Sequence, residues 1–156
     1  MDYGNVSTWG ASWAWGLPLI VLTVVFHAYG LGLLNKEAAL RLNSKIRLLH
    51  FSRVSNFLIG GTALSAAILH AIECAIWAVT YRLVGASAET KSAMLYSLSA
   101  MTSYGHANLY LEPRWQMMGA LEALNGWILF GLTTAFLFTV VQRAWLPTNS
   151  QRQPDV

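Results

Sequence analysis

Charge is what this chain has least of. Only 11% of its 156 residues are Asp, Glu, Lys or Arg, against roughly 25% in an average soluble domain. So little charge argues against a water-soluble globule. Cysteine is scarcer: Cys74 stands alone, which rules out an intrachain disulfide framework. There is no H-x-x-x-H, H-E-x-x-H or C-x-x-C spacing, so no local metal motif presents itself. No nucleotide-binding motif, no internal repeat and no RNA- or DNA-binding motif is found, so neither a pump nor a nucleic-acid partner is expected.

What is present is apolar. Hydrophobic residues make up 55% of the chain, and many fall in three blocks, residues 15–34, 56–81 and 116–141. Each meets the need for about 20 mostly apolar residues to cross a bilayer. Each is expected to be a helix, because a lone segment in lipid can satisfy its backbone groups only internally. The N-terminal stretch "MDYGNVSTWGASWAWG" carries no basic residue, so the first block is expected to stay in the mature protein.

The scarce charge is unevenly placed. The linker after the first block holds Lys36, Arg41, Lys45, Arg47 and Arg53 against one Glu37. The tail adds Arg143 and Arg152, while residues 82–115 balance Arg82, Lys91 and Arg114 with Glu89 and Glu112. The positive-inside rule puts linker and C-terminus in the cytoplasm, and the N-terminus and residues 82–115 outside. An inner (plasma) membrane, multi-pass protein is expected. Trp9, Trp13, Trp15, Trp77, Tyr81 and Trp115 fit an outer aromatic belt, and Trp145 an inner one. Within the linker, Ala38, Leu42, Ile46 and Leu49 recur at helical spacing between basic residues, which predicts an amphipathic helix. It either lies on the anionic inner leaflet or serves as a solvated connector.

Between the second and third blocks lies "SAMLYSLSAMTSYGHANLYLEPRW". Its first ten residues, 92–101, are helical in pattern but too short to span. A short polar turn with one glycine follows. Helix, turn and extended backbone before another span predict a re-entrant loop, which is tolerated at membrane depth only inside protein or beside a wet cavity. Backbone carbonyls in such a loop can replace a cation's water shell.

Residues 56–141, and above all "EPRWQMMGALEALNGWILFGLTTAFLF", resemble the pore unit of the potassium-channel superfamily, in particular small bacterial ion channels. That resemblance implies an outer helix, a pore helix, a filter and an inner helix, assembled as a homotetramer. It implies that Thr102, Ser103, Tyr104 and Gly105 fill the filter positions, with His106 at the pore mouth where the family has an Asp. The family's filter has two glycines flanking a tyrosine; here Ser103 stands at the first. Filter glycines allow positive φ, so an altered filter with weakened K⁺ selectivity is expected. His106 either confers pH sensitivity or is a hydrogen-bonding loop residue.

Ionisable groups inside spans default to a functional reading. His70 and Glu73 share a helix face at i,i+3, with Cys74 close by. Glu73, Glu122 and His70 are candidate filter supports. Gly60, Gly61, Gly126 and Gly131 allow close helix approach. Gly126, Gly131 and Phe138 are alternatively candidate hinge or gate positions.

The expected fold class is an all-α membrane protein with three transmembrane helices plus a re-entrant pore helix and filter loop. The expected order is an extracytoplasmic segment (1–14), a peripheral transmembrane helix (15–34), a basic cytoplasmic linker helix (35–53), the pore unit (54–145) and a cytoplasmic tail (146–156). The expected function is passive conduction of K⁺ or Na⁺ across the lipid bilayer by a homotetramer. Enzymatic activity, a resident cofactor or metal, and nucleic-acid binding are not expected. Two alternatives stay open. One is a non-conducting channel-like subunit. The other is a membrane metal-binding protein using His70, Glu73 and Glu122, for which ligands among His27, His70, Glu73, Cys74 and Glu122 must converge from three helices.

Overall fold

The computed structural model describes residues 6–45, 51–105 and 108–145, with side chains over 9–40, 56–105 and 108–144. Among these the regular structure is helical: α1 (Val6–Lys45), α2 (Phe51–Leu83), α3 (Thr90–Met101) and α4 (Gln116–Trp145), with a 3₁₀ turn at Pro113–Trp115 before α4. Three stretches are long and apolar enough to cross a membrane, Trp9–Leu40, Asn56–Leu83 and Pro113–Ala144. They match the three apolar blocks.

α1 is longer than its apolar block at both ends. Hydropathy marks where a helix can sit in lipid, not where its backbone hydrogen bonds stop. Residues 35–45 contain no Gly or Pro, so nothing breaks the helix as it becomes polar. The linker's first part therefore continues α1; the rest of its apolar stripe lies outside the described side chains. Pro18 sits inside α1 and leaves the carbonyl four residues back without its usual donor.

Paired contacts fix the packing. Ser12 Oγ donates to the Arg114 carbonyl at 3.3 Å. Asn125 Nδ2 donates to Thr23 Oγ1 at 2.9 Å. Arg143 Nη1 donates to Asn35 Oδ1 at 2.9 Å. Numbers rise together on the two helices, so α1 and α4 run parallel. His27 meets Glu73 at 2.8 Å, and a Cβ at Gly30 would meet Leu69; here the numbers run oppositely, so α2 is antiparallel to α1. The helix expected to be peripheral thus packs along both α2 and α4, and buries Ser12, Leu19, Thr23, His27 and Leu31.

The core gathers around α3. Trp77, Tyr81, Ala93, Tyr96, Ala100, Met101, Trp115, Met118 and Leu121 belong to one buried cluster. Three expected belt residues, Trp77, Tyr81 and Trp115, lie in that cluster and are buried. Large side chains are needed there to fill the space beside a helix that does not span. Trp9, Trp13 and Trp15 are exposed, as a belt requires. The loop is pinned at both ends: Ala86 N–H donates to the Tyr81 carbonyl at 2.8 Å, and Glu112 N–H to the Ala86 carbonyl at 3.0 Å. Residues 86 and 112 therefore meet, and the segment between them leaves and returns to one end of the bundle.

Candidate functional site: a capped short helix above buried polar clusters

α3 ends in a defined way. Ser103 N–H donates to the Ala100 carbonyl at 3.0 Å and Tyr104 N–H to the Ser99 carbonyl at 3.0 Å. This is a Schellman closure, whose pivot residue takes the left-handed conformation. Ser103 is that pivot, with φ 53°. Gly105 has φ 88°, so left-handed residues stand on both sides of Tyr104. All four expected filter positions, Thr102 to Gly105, are exposed in the single chain. Ser103 Oγ accepts from Trp127 Nε1 on α4 at 3.0 Å. His106 lies outside the described residues.

Glycine decides how closely this end approaches α4. A Cβ at Gly126 would collide with the Met101 carbonyl oxygen, and one at Gly119 with the Tyr96 hydroxyl. Both positions let α3 lie against α4. Gly60, Gly61 and Gly131 have open space where a Cβ would be, so of the four glycines read as packing positions only Gly126 meets a neighbour there. Gly131 and Phe138 are exposed.

A polar clasp holds α3. Glu122 of α4 is fully buried. It accepts from Tyr81 of α2 at 2.6 Å and from Ser97 of α3. Ser97 Oγ also lies 2.8 Å from the Cys74 carbonyl; its one proton serves either acceptor. Tyr96 packs edge-on against Tyr81 with centroids 5.6 Å apart. One carboxylate thus joins all three helices of the expected pore unit. Interhelical hydrogen bonds in membranes contribute about 0.6 kcal/mol each on average, so the clasp fixes position more than it adds stability.

A second cluster lies deeper. His27 of α1 and Glu73 of α2 are fully buried. His27 Nδ1 is 2.8 Å from Glu73 Oε1, and His70 Nδ1 is 3.3 Å from Glu73 Oε2. The other nitrogen of each ring points to one hydroxyl: Thr133 Oγ1 is 2.9 Å from His27 Nε2 and 3.0 Å from His70 Nε2. A hydroxyl has one proton, so at least one imidazole donates to Thr133. The 3.3 Å approach of His70 is an ion-pair distance without hydrogen-bond geometry, and Glu73 Oε2 has no hydrogen-bond partner. His27, His70 and Glu73 each offer a ligand atom within 4.8 Å of the others. Glu122 is committed to the clasp instead.

Between His70 and the end of α3 is a cavity of about 430 Å³, walled by His70, Cys74, Met101, Thr102, Ser103 and Trp127 among others. His70 is the partly exposed member of its cluster, with 25% of its side chain accessible. Cys74 Sγ lies 3.4 Å from Met101 Sδ at this wall.

Sequence reasoning singled out His70, Glu73 and Glu122 but missed Thr133, Tyr81 and Ser97 as their partners. A hydroxyl in an apolar helix is common and gives no signal by itself. No protein-family model matches the chain, and neither the curated proteins nor the solved structures contain a match.

Proposed function

We propose that this chain is the protomer of a passive monovalent cation channel, with the α3–α4 segment as a re-entrant pore helix and filter. The observation that carries the reading is the end of α3. The segment starts and finishes at one end of the bundle, while the last residue of α3, Met101, lies against Gly126. Gly126 sits about 20 Å along Pro113–Ala144 at 1.5 Å per residue, well inside the membrane. Left-handed φ at Ser103 and Gly105, on either side of Tyr104, is the kind of backbone that a carbonyl-lined filter would use to aim successive carbonyls one way. The helix C-terminus adds partial negative charge directed at the same place, which favours a cation. The Glu122 clasp supports this end from behind, as a coordination site requires. K⁺ and Na⁺ are the candidate ions, and four copies around one axis would complete the filter.

A second reading, a channel-like subunit that does not conduct, is favoured by the Schellman closure. That closure gives Ser103 its left-handed φ for a purely local reason. The two readings part on flux.

Purified protein in liposomes is tested for uptake of K⁺, Na⁺ and a large organic cation. The channel reading expects K⁺ or Na⁺ uptake with exclusion of the organic cation. It also expects a loss of about tenfold or more in Gly105→Ala, where a Cβ strains the left-handed backbone. Absence of flux in wild type across pH 5 to 8 (the range about the ordinary His pKa) would transfer the assignment to the non-conducting subunit.

A further inference from the structure

We infer that His27, His70 and Glu73 form a binding site for one divalent transition-metal ion of the zinc class per chain, with Thr133 as the residue that orients both imidazoles. Neither conduction nor the filter assignment enters this inference.

The donor set is two imidazoles and a carboxylate, which suits zinc and its first-row neighbours. Three donors with a further position left open is the arrangement of accessible zinc sites, as opposed to closed four-ligand ones. The atoms are already gathered. At zinc–ligand distances of about 2.0–2.1 Å, neighbouring ligands of a tetrahedral site are about 3.3 Å apart. His70 Nδ1 and Glu73 Oε2 stand at 3.3 Å. Glu73 Oε2 is the group that the protein leaves unsatisfied: it is buried, and no hydrogen bond reaches it. A buried carboxylate oxygen held only by the 3.3 Å approach of His70 Nδ1, without a hydrogen bond, is costly. A cation between it and the two Nδ1 atoms supplies the missing interaction.

Thr133 matters for a separate reason. A metal-ligating imidazole donates its other N–H to a fixed acceptor, which sets the tautomer and the ring orientation. Both Nε2 atoms here face the same hydroxyl oxygen, at 2.9 and 3.0 Å. With metal bound, both rings carry the proton on Nε2 and donate into the two lone pairs of Thr133 Oγ1. Both Nδ1 lone pairs then face Glu73. Without metal, the single hydroxyl proton cannot serve two neutral acceptors, so one ring must hold its Nε2 proton anyway. The two rings have centroids 4.8 Å apart and planes tilted by 40°.

The site has an entry. His70 forms part of the wall of the 430 Å³ cavity beneath the end of α3, and as the partly exposed member of the group it marks the side from which an ion would reach the site. Ligands from α1 and α2, oriented from α4, also mean that the ion would tie three spans together near their middle.

The test uses full-length protein in detergent, stripped with chelator and then loaded with Co²⁺ or Zn²⁺. The inference expects one equivalent per chain. It expects visible Co²⁺ absorption of the strength typical of four- or five-coordinate sites, abolished by competing Zn²⁺. The pair His27→Gln/Glu73→Gln should bind at least tenfold less, whereas His50→Gln/His106→Gln, which changes the other two histidines of the chain, should bind as wild type. Thr133→Val tests the orienting role without removing a ligand: about 10–100-fold weaker binding is expected, as for other such outer partners, and Thr133→Ser should restore it. Because the His27/Glu73 pair is buried, its fold is checked by gel filtration. If it fails to fold, the wild-type stoichiometry and the Thr133 pair of variants decide. No stoichiometric metal in stripped and reloaded wild type would overturn the inference. So would binding lost with His50/His106 but kept in folded His27→Gln/Glu73→Gln, or binding unchanged in Thr133→Val.

Discussion

Individual residues differ here in what surrounds them more than in type. Gly126 and Gly131 lie on the same helix and both looked like packing or hinge positions. Only Gly126 has a backbone atom where its Cβ would go. Gly126→Ala must push α3 away from α4 and is expected to lower stability by about 1–3 kcal/mol, the usual cost of overpacking. Gly131→Ala meets open space and should stay within about 0.5 kcal/mol of wild type. Thermal or denaturant unfolding of both variants in one detergent reads the contrast; equal effects would mean that the Met101 contact does not form. His27 makes the matching point about legibility. The sequence offers it only as one of several ligand types that would have to converge from three helices. The i,i+3 pairing of His70 with Glu73 was readable because it lies on one helix. That His27 completes the group, and Glu122 does not, depends on the register between antiparallel α1 and α2. No single-helix pattern carries that register.

At the scale of elements, the three spans and the short helix between the last two were legible from apolar length and from the polar break at Thr102. The end of the short helix at residue 101 and the start of the last helix at 116 were legible too; the ends of α1 were not. α1 runs past both ends of its apolar block because helical hydrogen bonding is indifferent to polarity. The inward turn of Trp77, Tyr81 and Trp115 was also hidden, since an aromatic at belt height reads the same whether it faces lipid or core. What these rings surround is α3, and Glu122 is the group that fastens it to α2 and α4. Glu122→Ala leaves the Tyr81 hydroxyl without its acceptor and opens a gap behind Ser97. Amide exchange within Thr90–Met101 should then quicken by on the order of tenfold to a hundredfold, from two interhelical bonds of up to about 1.7 kcal/mol each. The middle of α1, which does not touch the clasp, should exchange as before. Uniform acceleration across all helices would instead mean that Glu122 holds the whole bundle rather than α3.

At the scale of the whole molecule, the channel reading places a requirement on the exposed turn. Tyr104 is 87% exposed, and Thr102, Ser103 and Gly105 are exposed with it. This turn lies beside Gly126, well down the length of α4. On the channel reading the turn lies at membrane depth, where irregular backbone cannot face lipid, because lipid offers its N–H and C=O groups no partner. It must be covered by protein or border a wet cavity. Other copies of the same chain, arranged cyclically, would do both: they would bring the turns together around a hydrated axis and keep lipid away from them. Closed rotational symmetry is also the usual form of a homo-oligomer. On the channel reading, the expected mass of the detergent-solubilised protein, corrected for bound detergent by light scattering, is that of a tetramer. In a Cys74→Ala background, which removes the chain's one cysteine, Ser103→Cys should oxidise to a covalent dimer because its copies meet near the axis. Val79→Cys, on an exposed face of α2, should not. A monomeric mass together with no cross-link at position 103 would overturn the homotetrameric pore and with it the placement of this turn on a shared axis.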